Sequence, residues 1–217
     1  MKFTKINFDT WPRAALFNFY INDLRCVMTL TANVDISALI YACKRANIRF
    51  YPTFIHIISQ VVNNRAEFRT GFNAAGDVVM WDSVSPSYIE FHQNDERFTR
   101  LDTAYNPDFH VFYANVIKNM ERNKDKRGME TGPKPLNTFD ISCLPWLHYT
   151  AFDLHVFDEG RYLAPVITWG KYADYGGKLQ LPLTLQIHHA VADGFHAARF
   201  FADVETITAS MVEILKA

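Results

Sequence analysis

"KLQLPLTLQIHHAVADGFHAARF", residues 178–200, decides how the chain is read. Leu179, Leu181, Leu183, Leu185 and Ile187 fall at every second position, the period of a strand with one buried face. Two histidines, His188 and His189, close that strand, and Asp193-Gly194 then opens an apolar helix with Phe195, Ala198, Phe201, Ala202 and Ile207 inward. Neighbouring strand residues point to opposite faces, so the two imidazoles do not serve one small site. One faces the core or sheet and the other a cleft. A histidine near neutral pKa is a natural general base for a hydroxyl or thiol. Asp193 also suits a helix cap, and Gly194 a turn.

Working outward, "APVITWGKY" (164–172) reads as a strand, and Gly176-Gly177 as the turn of a hairpin leading into residue 178. "FDISCL" (139–144) and "YTAFDLHVF" (149–157) read as further strands, and Pro182 suggests a bulge or an edge. Upstream, Pro12 marks a helix start followed by Leu16, Phe17, Phe19 and Tyr20. "CVMTLTANVD" (26–35) alternates as a strand, and Asp35 or Ser37 caps the helix that follows. A second helix starts at Pro52. "GDVVMWD" (76–82) and "SYIEFHQ" (87–93) are short strands, and residues 106–125 an amphipathic helix. The pattern is α+β: a two-layer sandwich of a mixed, mostly antiparallel sheet with helices packed on it, in one domain spanning 1–217.

The 217 residues suffice for a sizeable core. With 49% hydrophobic residues, 21% charged residues and net charge -1, the chain has no electrostatic footprint for nucleic acid or an anionic membrane. A 15% aromatic share suits an aromatic-lined cavity or an aromatic-rich core. No apolar run reaches the roughly 18 residues of a spanning helix. The N-terminus lacks the apolar stretch of a signal peptide. Cys26, Cys43 and Cys143 are odd in number and lack metal-ligand spacing, so a cytoplasmic location without disulfides is expected. His189, Asp193 and His196 match no standard zinc spacing, and no metal is expected.

"QIHHAVADGFHAARF" resembles the HHxxxDG signature of the coenzyme-A-dependent acyltransferases. "NFDTWPRAALFNFY", "RFYPTFIHIISQVVN", "EFRTGF", "VVMWDSVSPSYIEFHQ", "ISCLPWLHYTAFDL" and "APVITWGKY" resemble, in order, segments of the chloramphenicol acetyltransferase family. The resemblance implies acetyl transfer from acetyl-CoA to the 3-hydroxyl of chloramphenicol, conferring antibiotic resistance. It implies acetyl-CoA as co-substrate, no permanently bound cofactor, and a homotrimer with active sites at subunit interfaces.

Residue by residue, it makes His189 the base, Ser142 the oxyanion donor, and Thr168 a residue reaching the intermediate through water. It pairs Asp193 with Arg13 in a shaping role and ties the base's imidazole to its own backbone carbonyl. Tyr20, Cys26, Phe98, Phe152 and Leu154 match acceptor-pocket positions. Tyr51, Trp146, Lys171 and Tyr172 match positions around coenzyme A. The chain departs from the family pattern at Arg100, Asp153, His155, Trp169 and Ala192, and along "KRGMETGPKPLN" (126–137).

Overall fold

The structure is a computed structural model that describes all residues except 130, 155, 157–159 and 217. In chain order, the elements are β1 (Phe3–Lys5), α1 (Ala14–Asn18), β2 (Val27–Asp35), α2 (Ser37–Ala46), α3 (Phe50–Asn63), β3 (Thr70–Phe72), β4 (Val78–Trp81) and β5 (Ser85–His92). β6 (Arg97–Asp102), α4 (Phe109–Asn123), β7 (Thr138–Leu144), β8 (Val166–Gly170), β9 (Ala173–Tyr175), β10 (Lys178–His188) and α5 (Gly194–Ile214) complete them.

β10 organises the main sheet, whose order is β2-β10-β8-β7-β5-β6 with β9 also on β10. The β7 pairings to β5 and β8 are parallel and the others antiparallel, as the expected mixed sheet requires. A small sheet, β1-β4-β3, stands apart from it. Leu181, Leu183, Leu185 and Ile187 enter a core with Leu39 of α2, Ile55 and Ile58 of α3, and Phe200 and Val204 of α5. The α+β two-layer reading holds. The period-2 leucines fix which face takes the helices, because burying the other face would expose all of them.

Several boundaries move for identifiable reasons. The helix expected from Pro12 begins at Ala14, and after Asn18 widens into a π-turn over Phe19–Asp23. α3 begins at Phe50, leaving Pro52 in the first turn, where a missing N–H costs nothing. Neither Asp35 nor Ser37 is the N-cap of α2, which is Ile36, but the Asp35 carboxylate accepts from the Ser37 N–H at 3.0 Å, just ahead of the helix. Pro182 lies off the edge but opposite a bulge, since two β10 residues, 181 and 182, face three, 170–172, between the β8 and β9 pairings. It falls between the residues paired to β9 (178–180) and those paired to β8 (183–186), where its lack of an N–H breaks no bond on that side. β6 was not foreseen, because its charged sequence, RFTRLD, masks the alternation of an edge strand.

The segment expected as a strand at 149–157 does not join the sheet among its described residues. It crosses the sheet's other face instead. There the Tyr149 hydroxyl donates to Thr168 O at 2.8 Å, Asp153 accepts from the Thr29 hydroxyl at 2.7 Å, and Leu154 O accepts from the Gln186 amide. Thr184, Gln186 and His188, which point to that face, are consequently buried as well.

The Leu144–Tyr149 turn presses onto the end of β8. A Cβ on Gly170 would lie 2.5 Å from Leu147 O and 2.9 Å from the Tyr149 ring, whereas one on Gly194 would meet nothing within 4 Å. Gly170→Ala is therefore expected to cost roughly 1–3 kcal/mol, as overpacking does. Gly194→Ala stays within about 0.5 kcal/mol, the range of unobstructed surface changes. Denaturant melts of both variants check this, and equal stability of the two contradicts the packing.

Candidate active site

His189 stands one residue past β10, with its N–H donating to Cys26 O at 3.0 Å. Its Nδ1 lies 2.9 Å from Ala192 O. A carbonyl only accepts, so Nδ1 carries the proton and Nε2 keeps its lone pair. This differs from the expected bond to the histidine's own carbonyl, which instead accepts from Arg13 Nη2 at 2.9 Å. Ala192, a departure from the family pattern, thus takes part through its backbone. The Tyr20 ring, carried on the π-turn, stacks on the imidazole at 4.0 Å and 9°. His188 is 2% exposed, and its Nδ1 accepts from the Ala190 N–H at 3.1 Å. The two histidines have separate duties, as the alternation requires.

Arg13 locks this corner. Besides the His189 carbonyl, it donates through Nε to Ala190 O at 2.8 Å and through Nη1 to Asp193 Oδ2 at 3.2 Å. Asp193 caps α5, accepting from the Phe195 N–H at 3.1 Å, and its Oδ1 lies 2.8 Å from His196 Nδ1. The carboxylate turns to Arg13 and His196, and no triad with His189 forms. Burial works to raise the Asp193 pKa, but the bonds from His196 and Arg13 outweigh it and lower it to about 2.

Ser142 lies across the sheet from this corner. It pairs with Thr168 of β8, which pairs with Thr184 of β10, which pairs with Thr31 of β2. On the other side the β7–β5 pairing ends one residue short of this row, at Tyr88 and Ile141, and Ile89 of β5 pairs with Arg100 of β6. The catalytic candidates Ser142 and Thr168 are therefore brought side by side. His189 is not: two strand spacings of about 4.8 Å and five residues of about 3.3 Å put its Cα roughly 19 Å from that of Ser142. Neither side chain spans such a gap.

Cys143 points the opposite way from Ser142, toward a cavity of about 650 Å³. Burial pushes its thiol pKa up to about 12, so it carries no thiolate nucleophile. Tyr51, Trp146, Lys171 and Tyr172 all line this cavity, as does Phe98. Tyr51 donates to Ile89 O at 2.6 Å, and burial holds its pKa well above 10. Phe91 meets Trp146 edge-on at 4.6 Å. Trp169 turns from the Thr168 face to pack on Phe54 and forms a wall.

Sequence reasoning missed Arg49 and Glu90 in the same lining. Arg49 sits at the start of α3 and joins Lys171 as a second cation; its helix-start position was the available signal. Burial raises the pKa of Glu90.

The remaining acceptor candidates do not gather within one chain. Tyr20 and Cys26 accompany His189. Phe152 lies 5.7 Å from the Tyr149 ring, and Leu154 stays exposed above Gln186. Arg100 is 7% exposed, 3.4 Å from Asp102, and donates to Gly132 O at 2.9 Å, so it anchors the divergent 126–137 loop. His155 lies outside the described residues. Among the described residues no cluster of three metal-ligating side chains occurs.

A model of the chloramphenicol acetyltransferase family matches residues 1–205. The chain belongs to the chloramphenicol acetyltransferase family. It is accordingly an acyltransferase. A family member from Clostridium butyricum is 40% identical over 219 residues, covering all of this chain and 99% of the relative. The Escherichia coli protein named chloramphenicol acetyltransferase 3 is 38% identical, covering 98% and 100%. A solved chloramphenicol acetyltransferase superposes with TM-score 0.84 at 20% identity, over 95% of this chain and 100% of that one. An Azotobacter vinelandii dihydrolipoamide acetyltransferase, at TM-score 0.62 and 18% identity over 88% and 84%, shares the fold.

Removing either side of the Arg13–Asp193 contact strands a partly buried charge. Asp193→Asn and Arg13→Ala should each lower stability and activity, with sub-additive losses in a double-mutant cycle. A depressed carboxyl pKa contributes stability that is present above its unfolded value and lost as pH falls through the folded one. The stability gap between the unmutated chain and Asp193→Asn should thus close between pH 3.8 and about 2. Additive losses, or a gap constant over that range, contradict the pairing.

Proposed function

We propose that the chain transfers the acetyl group of acetyl-CoA to the 3-hydroxyl of chloramphenicol, at sites shared between the subunits of a cytoplasmic homotrimer. Kinship at 40% and 38% identity over essentially whole chains supports the reaction. The observation that carries the mechanism is the His189 tautomer. With Nδ1 donating to Ala192 O, Nε2 accepts the proton of the substrate hydroxyl. The hydroxyl oxygen then attacks the thioester carbonyl directly, and the tetrahedral oxyanion takes a hydrogen bond from the Ser142 hydroxyl. Collapse breaks the C–S bond, and the leaving coenzyme A thiolate recovers the proton from His189. The account needs no acyl-enzyme, in keeping with the inert Cys143.

The coenzyme is assigned to the aromatic cavity, with Trp146 and Tyr172 for stacking and Arg49 and Lys171 for its phosphates. A site shared between copies is supported by the roughly 19 Å between His189 and Ser142, two to three strand spacings beyond the reach of one chain. A ring of three copies closes a head-to-tail contact and sets the base of one copy against the donor of the next. Cytoplasmic placement is supported by three free cysteines. No described helix is long and apolar enough to cross a membrane.

A thiol-release assay with acetyl-CoA and a panel of hydroxylated acceptors tests the reaction, with chloramphenicol expected as the preferred acceptor. His189→Ala should abolish turnover with the fold retained, while His188→Ala should act on stability. Ser142→Ala should lower kcat by about 10²–10³ with little change in either KM. An active His189→Ala chain, or another alcohol clearly preferred, overturns the reading.

A further inference from the structure

Tyr149, seven residues past Ser142, reaches back over the sheet and is 7% exposed. Its hydroxyl donates to Thr168 O at 2.8 Å and accepts from Thr184 Oγ1 at 3.1 Å. Thr184 has then committed its proton, so at 2.8 Å it accepts from Thr31 Oγ1. Three hydroxyls thus form one directed chain that ends on the peptide of Thr168. Burial pushes the Tyr149 pKa up to about 12, which keeps its hydroxyl a donor throughout the neutral range. The turn that carries it is fixed as well. Lys171 N donates to Leu147 O at 2.8 Å, and His148 Nδ1 lies 2.9 Å from Lys171 O. The ring approaches Gly170 so closely that a Cβ there would sit 2.9 Å away. Tyr149 is therefore the side chain through which the turn after Ser142 grips the strand that carries Thr168.

We infer that Tyr149 is a positioning residue for acetyl transfer, its hydroxyl setting the Thr168 peptide, and hence the Thr168 side chain, against Ser142. The inference rests on the roles proposed above for Ser142 and Thr168. A directed chain of this kind differs from ordinary packing. The strand pairings to β7 and β10 set the register of β8. The ring supplies buried area, while the hydroxyl adds the one bond that ties the turn after Ser142 to the Thr168 peptide. Tyr149→Phe separates the two by keeping the ring and deleting the donor. Thr31→Val removes a hydroxyl at the far end of the chain and leaves the Tyr149–Thr168 bond in place, so it serves as the stability control.

Steady-state kinetics with acetyl-CoA and chloramphenicol, run beside thermal melts, test the inference. Tyr149→Phe should lower kcat about threefold to tenfold, short of the 10²-fold that a 1 Å misplacement costs. Both KM values should stay within about twofold, as for an interaction acting on the transition state. Thr31→Val should lower Tm comparably and leave kcat unchanged. In a Thr168→Val background, Tyr149→Phe should cost nothing further, because it acts through that residue. Unchanged kcat in Tyr149→Phe, or losses that add to those of Thr168→Val, overturns the positioning role while leaving the proposed reaction intact. Absence of transfer by the unmutated chain overturns both.

Discussion

Strand β10 is hydrogen-bonded in register along both edges, to β2 from Gln180 to His188 and to β8 from Leu183 to Gln186. That double constraint fixes the distances on which function depends. It places Thr184 beside Thr168 and so beside the Ser142 row, and it delivers His189 to the far end of the same strand. A slip of one residue would turn Leu181, Leu183, Leu185 and Ile187 out of the core and reverse both histidines. Burial of those four side chains, at about 1.5–3 kcal/mol each, makes such a slip prohibitive. The same apolar alternation that stabilises the fold therefore meters the separation of the reactive groups.

Polar groups at the end of β10 are satisfied by residues from distant parts of the chain. Arg13, in the N-terminal segment, closes the carbonyls of His189 and Ala190 and the carboxylate of Asp193. Its guanidinium holds the turn from strand to helix in the shape that lets Ala192 O define the imidazole tautomer. The opposite face of the sheet is polar yet buried, and the 149–154 segment supplies its partners. A buried polar network specifies geometry when every member is satisfied, and here the hydroxyl chain through Tyr149 extends that specification to the Ser142–Thr168 row.

Much of this was legible in the sequence because the signals are local. Alternating leucines, a Gly-Gly turn and an Asp-Gly helix start each act over a few residues, and they gave β10, the β9–β10 hairpin and the start of α5. The inward face of α5 differs from the expected one, with Ala197, Phe200 and Val204 buried and Phe195, Ala198 and Ala202 exposed. The Arg13–Asp193 contact, 180 residues apart, was accessible only through the family resemblance. The π-turn at Tyr20 has no local signature. Residues 149–157 read as a strand because apolar and polar residues alternate there. Tertiary hydrogen bonds to Thr168, Thr29 and Gln186 draw residues 149–154 across the sheet instead. The separation of His189 from Ser142 is invisible in sequence, since it depends on the register of three strands at once.

That separation leads to the central claim, that a working site needs the base of one copy and the donor of another. Inactive His189→Ala and Ser142→Ala chains, refolded together and purified as mixed rings, measure it directly. In a head-to-tail trimer each mixed ring has one interface with both groups intact. The account predicts that acetyl transfer rises from near zero in either parent to about one working site per mixed ring. Mixed trimers, verified by mass, whose activity stays at the level of the parents would contradict it.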